Sequence, residues 1–298
     1  MANGSTWSYL QTILLGIAGF CFGPLILSIG NNPVATNPDK FVNSGQFKVW
    51  IAVFGAQTAL WFVLALPLWR ELPEGGIKEN KLQFGLIILA LLVLTLMISL
   101  VRPPERPLFW HQTKMVSLQA CGMAVALLAI HGMGLIYRKL DHTKDLEGGD
   151  GKPPEESVKR LIDLRQRLEQ LLLAAGTIIG AATLATGGLR SALIAYRESN
   201  RELFPKEYVL LYGLIYSMFL AAVYVPVHLK LQSRARELRE RLLPFKKGES
   251  ESWASWHSNR KALDELLQLQ VNPVTGLFNG ISILSPLAGS IVGLLIGK

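Results

Sequence analysis

Cysteine is nearly absent: the chain holds two, Cys21 and Cys121. Both fall in apolar stretches, without the spacing of a disulfide or zinc framework, so both scaffolds are excluded and the two thiols are expected to be buried packing residues. Charge is scarce as well, at 17% of residues against 50% hydrophobic. Catalytic signatures are missing: the chain contains no HExxH, GxSxG, GxGxxG or CxxC. Its one Gly-Lys run, EGGDGKPP, lacks the upstream glycine, the following Ser or Thr and the preceding strand of a phosphate loop. The five histidines, His111, His131, His142, His228 and His257, show no i, i+4 pairing, so neither a metal nor another cofactor is expected. With no acid, base or metal pair in view, the expectation is a protein that is not an enzyme. The start, MANGSTWSYLQ, lacks the positively charged n-region of a secretory signal, so the first apolar run is expected to be a permanent span.

Apolar length is what the chain has in quantity. Mean hydropathy is +0.31, and runs of about 20 apolar residues recur, the length that crosses a bilayer as a helix. The sequence therefore predicts an all-α, polytopic integral membrane protein with six or seven transmembrane helices. Successive spans are expected over about 9–29, 50–69, 83–101 and 115–137, followed by two in the second half of the chain. The last run, Val274 to Gly297, is broken by Gly276, Gly280, Pro286, Gly289 and Gly293. It is long enough for a seventh span, although that density of Gly and Pro also suits a re-entrant element.

One stretch organises the rest. Glu155 to Tyr196 reads as a single helix about 63 Å long, roughly twice the hydrocarbon core of a bilayer, so about half of it must stand outside. Pro153, Pro154, Glu155 and Glu156 supply a proper helix start, with acid at the positive end of the dipole. In its charged first half, Leu161, Leu164, Leu168 and Leu171 recur at steps of three and four, the seam of a coiled coil. A second seam, Leu231, Ala235, Leu238, Leu242 and Phe245, follows the next span. The two arms are expected to pair as an antiparallel coiled-coil hairpin, with Glu156, Asp163 and Glu169 facing Arg234, Arg236 and Arg241. The chain then divides into a four-helix transmembrane unit (1–140), a flexible linker (141–154), the long-helix hairpin (155–247), a linker with a short amphipathic helix (248–272) and the C-terminal hydrophobic segment (273–298).

The net charge of +8 points first to cytoplasmic anchoring of a membrane protein. Twenty of the 30 Lys and Arg fall on the side of the two arms, which places the amino terminus and the coiled coil in the cytoplasm, at an inner or plasma membrane. The basic run carrying Arg234, Arg236, Arg239 and Arg241 is a surface for anionic lipid headgroups. Nucleic acid is not an expected partner, because nothing resembles a module with stacking aromatics.

The uncharged half of the long helix carries Gly176, Thr177, Gly180, Thr183 and Gly187, small residues that let helices approach closely in lipid, so this helix is expected to be the most tightly packed. The face either packs inside one subunit or lines a path between subunits. Arg190, near its outer end, is read as an interfacial anchor, or as one member of an arginine ring in an oligomer. His131 is the one histidine well inside a span and is an intramembrane polar candidate. Phe109, Trp110 and His111 form an interfacial belt, the alternative being a pore mouth. Together these features point to an oligomeric channel or pore-type protein, a homo-oligomer coupled through its cytoplasmic coiled coil to a protein partner or trigger. The alternatives are a membrane scaffold that docks a complex through its arms and, third, a secondary transporter.

Overall fold

A computed structural model of the chain describes residues 3–29, 38–70, 107–108, 110–141, 154–244, 253–267, 269 and 273–296. Among the described residues the fold is all-helical and has no strand. The helices are α1 (Asn3–Ser28), α2 (Pro38–Val42), α3 (Gly45–Arg70), α4 (His111–Asp141), α5 (Pro154–Tyr196), α6 (Asn200–Leu203), α7 (Lys206–Leu242), α8 (Trp253–Leu266) and α9 (Pro273–Ile296). Five stretches are long and apolar enough to cross a membrane: Tyr9–Ser28, Gly45–Arg70, His111–Asp141, Glu155–Tyr196 and Asn200–Leu242. The span expected over 83–101, Phe245 of the second seam, and the linker between Asp141 and Pro154 lie outside the described residues.

The long helix is continuous. α5 runs 43 residues from Pro154, with Glu155 and Glu156 in its first turn, where acid complements the helix dipole. It packs against α2, α3, α4, α7 and α9. Two thirds (67%) of its apolar window is buried, against at most 44% in the other long apolar helices, so α5 is the central strut. A single apolar core joins Trp50 and Phe54 of α3, Ala129 and Met133 of α4, Leu168 and Ile178 of α5, and Leu220 of α7. The stretches on either side of the linker thus share one interior.

Close glycine contacts show how the helices run. Gly19 of α1 lies on Thr58 of α3 while Gly16 faces Val63, so these two helices are antiparallel. Gly176, Gly180 and Gly187 of α5 meet Ser282, Ser285 and Gly293 of α9 in the same order, so α9 runs parallel to α5. Gly188 of α5 lies against Trp50 near the start of α3, whereas Leu171 lies against Gly132 late in α4. One end of the bundle therefore gathers the beginnings of α3, α4 and α7 with the end of α5. The other end gathers the beginning of α5 with the ends of α3, α4 and α7, and from it the charged arms extend.

Prolines help set these contacts. Pro286 has no N–H, so the Ser282 carbonyl four residues earlier loses its helical partner. The Ser285 hydroxyl stands 2.9 Å from that carbonyl and 2.6 Å from the Gly176 carbonyl, where its single proton can serve either. Pro24 likewise frees the Phe20 carbonyl, and a Cβ on Gly55 of α3 would stand only 2.9 Å from it. Thr58 Oγ1 then donates towards the Gly19 carbonyl at 2.6 Å. In each pair a freed or tilted carbonyl meets a glycine or hydroxyl of the next helix, the way a kinked helix is re-satisfied in an apolar surround.

The outward faces are apolar. Leu10, Ile13 and Ile17 of α1, Leu211, Leu214 and Met218 of α7, and Leu284, Val292 and Leu295 of α9 are all exposed, a belt far larger than a water-soluble surface carries. Cys21 and Cys121 belong to this surface: both are exposed, which corrects the expectation that they are buried. Apolar runs made them look like core, but each stands on the outer side of its helix, where a small hydrophobe needs no partner.

Candidate functional site

Gln57 and Trp61 stand one turn apart on α3, on the face turned to α4, α5 and α7. Both are almost fully buried, at 5% and 3% exposure, and both line a chamber of about 200 Å³. His111, Met115 and Gln119 of α4 add a second wall, Thr183, Thr186 and Leu189 of α5 a third, and Tyr212 and Tyr216 of α7 a fourth. Trp50 and Phe54 continue the α3 wall, and Leu203 and Phe204 close the end away from the arms. The lining mixes aromatic, imidazole, amide and hydroxyl groups with aliphatic ones such as Met115, Leu189 and Leu193. Among the described residues it includes no Asp, Glu, Lys or Arg.

Local structure explains how these side chains converge. Trp110 is the one non-glycine residue with positive φ among those described, at 52°, an uncommon backbone state for a bulky residue. Its turn starts α4 at His111, whose N–H bonds the Leu108 carbonyl at 3.1 Å. Trp110 is exposed, whereas His111 is buried and lines the chamber. Of the three residues expected at an interface, Trp110 is exposed and His111 is not, and Phe109 lies outside the described residues. Gly122 gives the Trp61 indole its place: a Cβ there would come within 2.5 Å of the ring, so any larger residue would push Trp61 into the chamber. Gln119 shares a hydrogen bond with the Tyr216 hydroxyl. By contrast, among the described residues the Gln57 Oε1 and Trp61 Nε1 atoms are buried without a hydrogen-bond partner, a costly condition for a polar group.

The connection between α5 and α7 is pinned over the far end of the chamber. Arg190 Nε donates to the Phe204 carbonyl at 2.7 Å. Asn200, 2% exposed, donates through Nδ2 to the Leu193 carbonyl at 2.7 Å. Arg190 thus holds a turn of its own chain.

The small-residue face of α5 divides between two neighbours. Gly176, Gly180 and Gly187 lie on α9, and Thr183 Oγ1 stands 2.8 Å from the Pro286 carbonyl. Thr183 and Thr186 also border the chamber. Thr177 is half-buried and is not among the chamber residues. His131 is buried deep in α4, well apart in sequence from the chamber residues of that helix, and the structure does not bring it to them.

At the charged end Leu161, Leu164, Leu168, Leu171, Leu231 and Leu238 are buried and Leu242 is half-buried. α8 docks here: Leu267, at its end, is buried and its carbonyl accepts a bond from the buried Arg165. The basic run is partly spoken for. Arg239 bonds Asp264 at 3.0 Å and Glu240 at 2.7 Å, and Glu240 also accepts from Arg260. Arg234 pairs with Glu237 at 2.7 Å and donates to the Leu140 carbonyl, partners other than the first-arm acids proposed for it. Arg236 and Arg241 are exposed.

No family model, no curated protein and no solved structure matches this chain, so the chamber is read from its geometry. Sequence reasoning missed it, although a signal was present: Gln57 is the one amide in an otherwise apolar α3 stretch, and Gln119 interrupts α4 in the same way. Among the described residues no group of His, Cys, Asp and Glu could hold a metal ion.

Proposed function

We propose that this is a non-enzymatic integral membrane protein that takes a small molecule into the α3–α4–α5–α7 chamber and couples its occupancy to a cytoplasmic helical arm. The observation that carries this reading is that α5 and α7 are continuous helices which both wall the chamber and extend as the arm. A group that fills the space between them presses on both, and a rigid helix carries any resulting displacement to its far end. The buried seams favour a coiled-coil pairing of the two arms, with α8 as a third helix against them. The excess of Lys and Arg at this end favours the cytoplasmic side, with Arg236 and Arg241 placed for anionic headgroups. α9, one continuous helix between α5 and α7, serves as a further span.

A pore along the small-residue face of α5 is not retained, because α9 of the same chain covers Gly176, Gly180 and Gly187. An oligomeric channel would need another wall. Docking of a partner complex on the arm remains a second reading, favoured by Trp253, which is exposed and stacks on Trp256 at the surface of α8.

The test is a chamber-filling variant, Thr186→Trp, in lipid nanodiscs, with spin labels at the exposed Lys159 of α5 and Arg241 of α7. Coupling predicts a changed label distance at the arm tip relative to the parent. An unchanged distance in a variant that remains folded would sink the coupling. Steady single-channel currents from the purified protein in planar bilayers would restore the channel reading.

A further inference from the structure

The shape of the chamber and the state of its polar groups say what it takes. Resting on the reading of the chamber as a binding site, we propose that its ligand is a single hydrocarbon chain of a bilayer phospholipid, drawn from the leaflet away from the arms. Length comes first. The lining runs along α3 from Trp50 to Trp61 and along α5 from Leu193 back to Ala182, about 16 Å at the helical rise of about 1.5 Å per residue. It begins where α4 starts, at His111, and ends in mid-bundle. Half of a hydrocarbon core about 30 Å thick is about 15 Å, so the slot is one leaflet deep. Its volume of about 200 Å³, spread over that length, is the room of one chain and not of paired chains or a fused ring system.

Polar groups of the lining are turned to their own protein. Thr183 Oγ1 stands 2.9 Å from the Gly180 carbonyl and 2.8 Å from that of Pro286. Thr186 Oγ1 donates to the Ala182 carbonyl at 2.9 Å, and Gln119 shares a hydrogen bond with Tyr216. Gln57 Oε1 and Trp61 Nε1 lie beneath the chamber surface, out of an occupant's reach. What these residues offer an occupant is methyl, methylene and ring surface. With no Asp, Glu, Lys or Arg among the described lining residues, a charged group would enter without a counter-charge and carry its desolvation cost, so the head group stays outside. The way in is from the side. Leu203 and Phe204 close the end towards water, whereas Gln112, Met115 and Val116 of α4 and Tyr212 of α7 line the chamber while partly exposed. Ala182, Thr186 and Leu189 are half-buried too, although α5 is the most buried of the long apolar helices, so the surroundings reach α5 between α4 and α7. Leu203 is itself exposed and edges this mouth. Leu211 and Leu214, next to Tyr212 on α7, belong to the exposed apolar belt, which makes the mouth continuous with the surface that meets lipid chains.

The probes are two phosphatidylcholines in phosphatidylcholine nanodiscs, one with a photoreactive diazirine near the end of an acyl chain and one with it near the ester. Mass spectrometry of the cross-linked peptides reads them. The chain-end probe is expected to label Ala182 and Tyr216, and the ester-side probe Leu189 and Phe204. Thr186→Trp should cut labelling of both sets about fivefold or more, because the indole takes the space of the chain, while labelling of Leu214 on the belt stays unchanged. The depth order is read on the parent protein and stands even where the variant fails to fold. Labels confined to belt residues, one set of residues labelled by both probes, or chamber labelling unchanged in a folded Thr186→Trp overturns the proposal. Chamber labelling by a diazirine fatty acid and by neither phospholipid overturns the phospholipid source. The spin-label comparison needs no ligand: a changed arm distance with an unlabelled chamber keeps the coupling and discards the lipid, and a labelled chamber with an unchanged distance does the reverse.

Discussion

Thr183 Oγ1 stands 2.8 Å from the Pro286 carbonyl oxygen and 2.9 Å from its own Gly180 carbonyl. It ties α9 to α5 at the level where the same residue borders the chamber. Replacing it with the near-isosteric Thr183→Val removes the only proton that can bridge these helices at that point. The expected loss of stability is about 0.6 kcal/mol and at most about 1.7 kcal/mol, the range for one interhelical hydrogen bond in an apolar bundle. Unfolding by SDS titration, followed by circular dichroism, measures it. A shift of zero would mean the α5–α9 seam is held by packing alone.

Packing should be the stronger term. A Cβ on Gly180 would stand 3.1 Å from the Ser285 carbonyl oxygen, and one on Gly187 would stand 2.7 Å from Gly293 Cα. Both neighbours are backbone and cannot swing aside, so Gly187→Val should cost about 1–3 kcal/mol and loosen α9. Gly134 on α4 is the control, with nothing among the described residues within 4 Å of a Cβ built there, and Gly134→Ala should be neutral or mildly stabilising. The contrast fails if both variants unfold alike.

How much of this was legible from sequence differs by residue. The length and start of α5 followed from its Pro-Glu-Glu opening and uninterrupted periodicity, and the burial of Leu161, Leu164, Leu168 and Leu171 from their spacing, because both are properties of one helix. The close approach of Gly176, Gly180 and Gly187 was legible as a contact but not its partner, since small-xxx-small spacing says that a helix comes near and not which one. The chamber was not legible. Gln57, His111, Thr183 and Tyr216 come from four helices separated in sequence, and no local pattern registers their meeting. The salt links of α8 were missed for the same reason: Arg239 could be seen as part of a basic run, but Asp264 lies 25 residues on and meets it only in the folded chain.

That link gives a pH prediction. Hydrogen bonds from Arg260 and then Arg239 hold the Glu240 carboxyl below its ordinary range, and the Arg239–Asp264 pair is only 18% exposed on either side. A carboxylate whose folded value is depressed contributes stability above the ordinary glutamate value, near 4.3, and that contribution is lost as pH falls through the depressed value. α8 should therefore stay docked at neutral pH and release in the acid range, with Arg260→Gln moving the release to higher pH. Fluorescence of Trp253 and Trp256 through an acid titration reads it. A midpoint unchanged by Arg260→Gln would remove Glu240 as the controlling group.

The turn between α5 and α7 should govern entry to the chamber. Arg190 holds the Phe204 carbonyl, and Asn200 adds its bond to the Leu193 carbonyl, which already accepts the Arg197 N–H at 3.0 Å. Phe204 and Leu203 belong at once to this turn and to the chamber wall, so slackening the turn opens the wall. A hydrogen bond from a charged donor contributes about 1.5–3 kcal/mol. Arg190→Met, which keeps the length of the side chain and loses its donors, should accordingly speed amide exchange over 197–205 by about tenfold to a hundredfold. Exchange at the α5–α9 seam should stay unchanged, because neither residue touches it. Faster exchange throughout the bundle would mean that Arg190 supports the fold as a whole, whereas acceleration confined to the turn marks Arg190 as the clamp on the chamber's outer end.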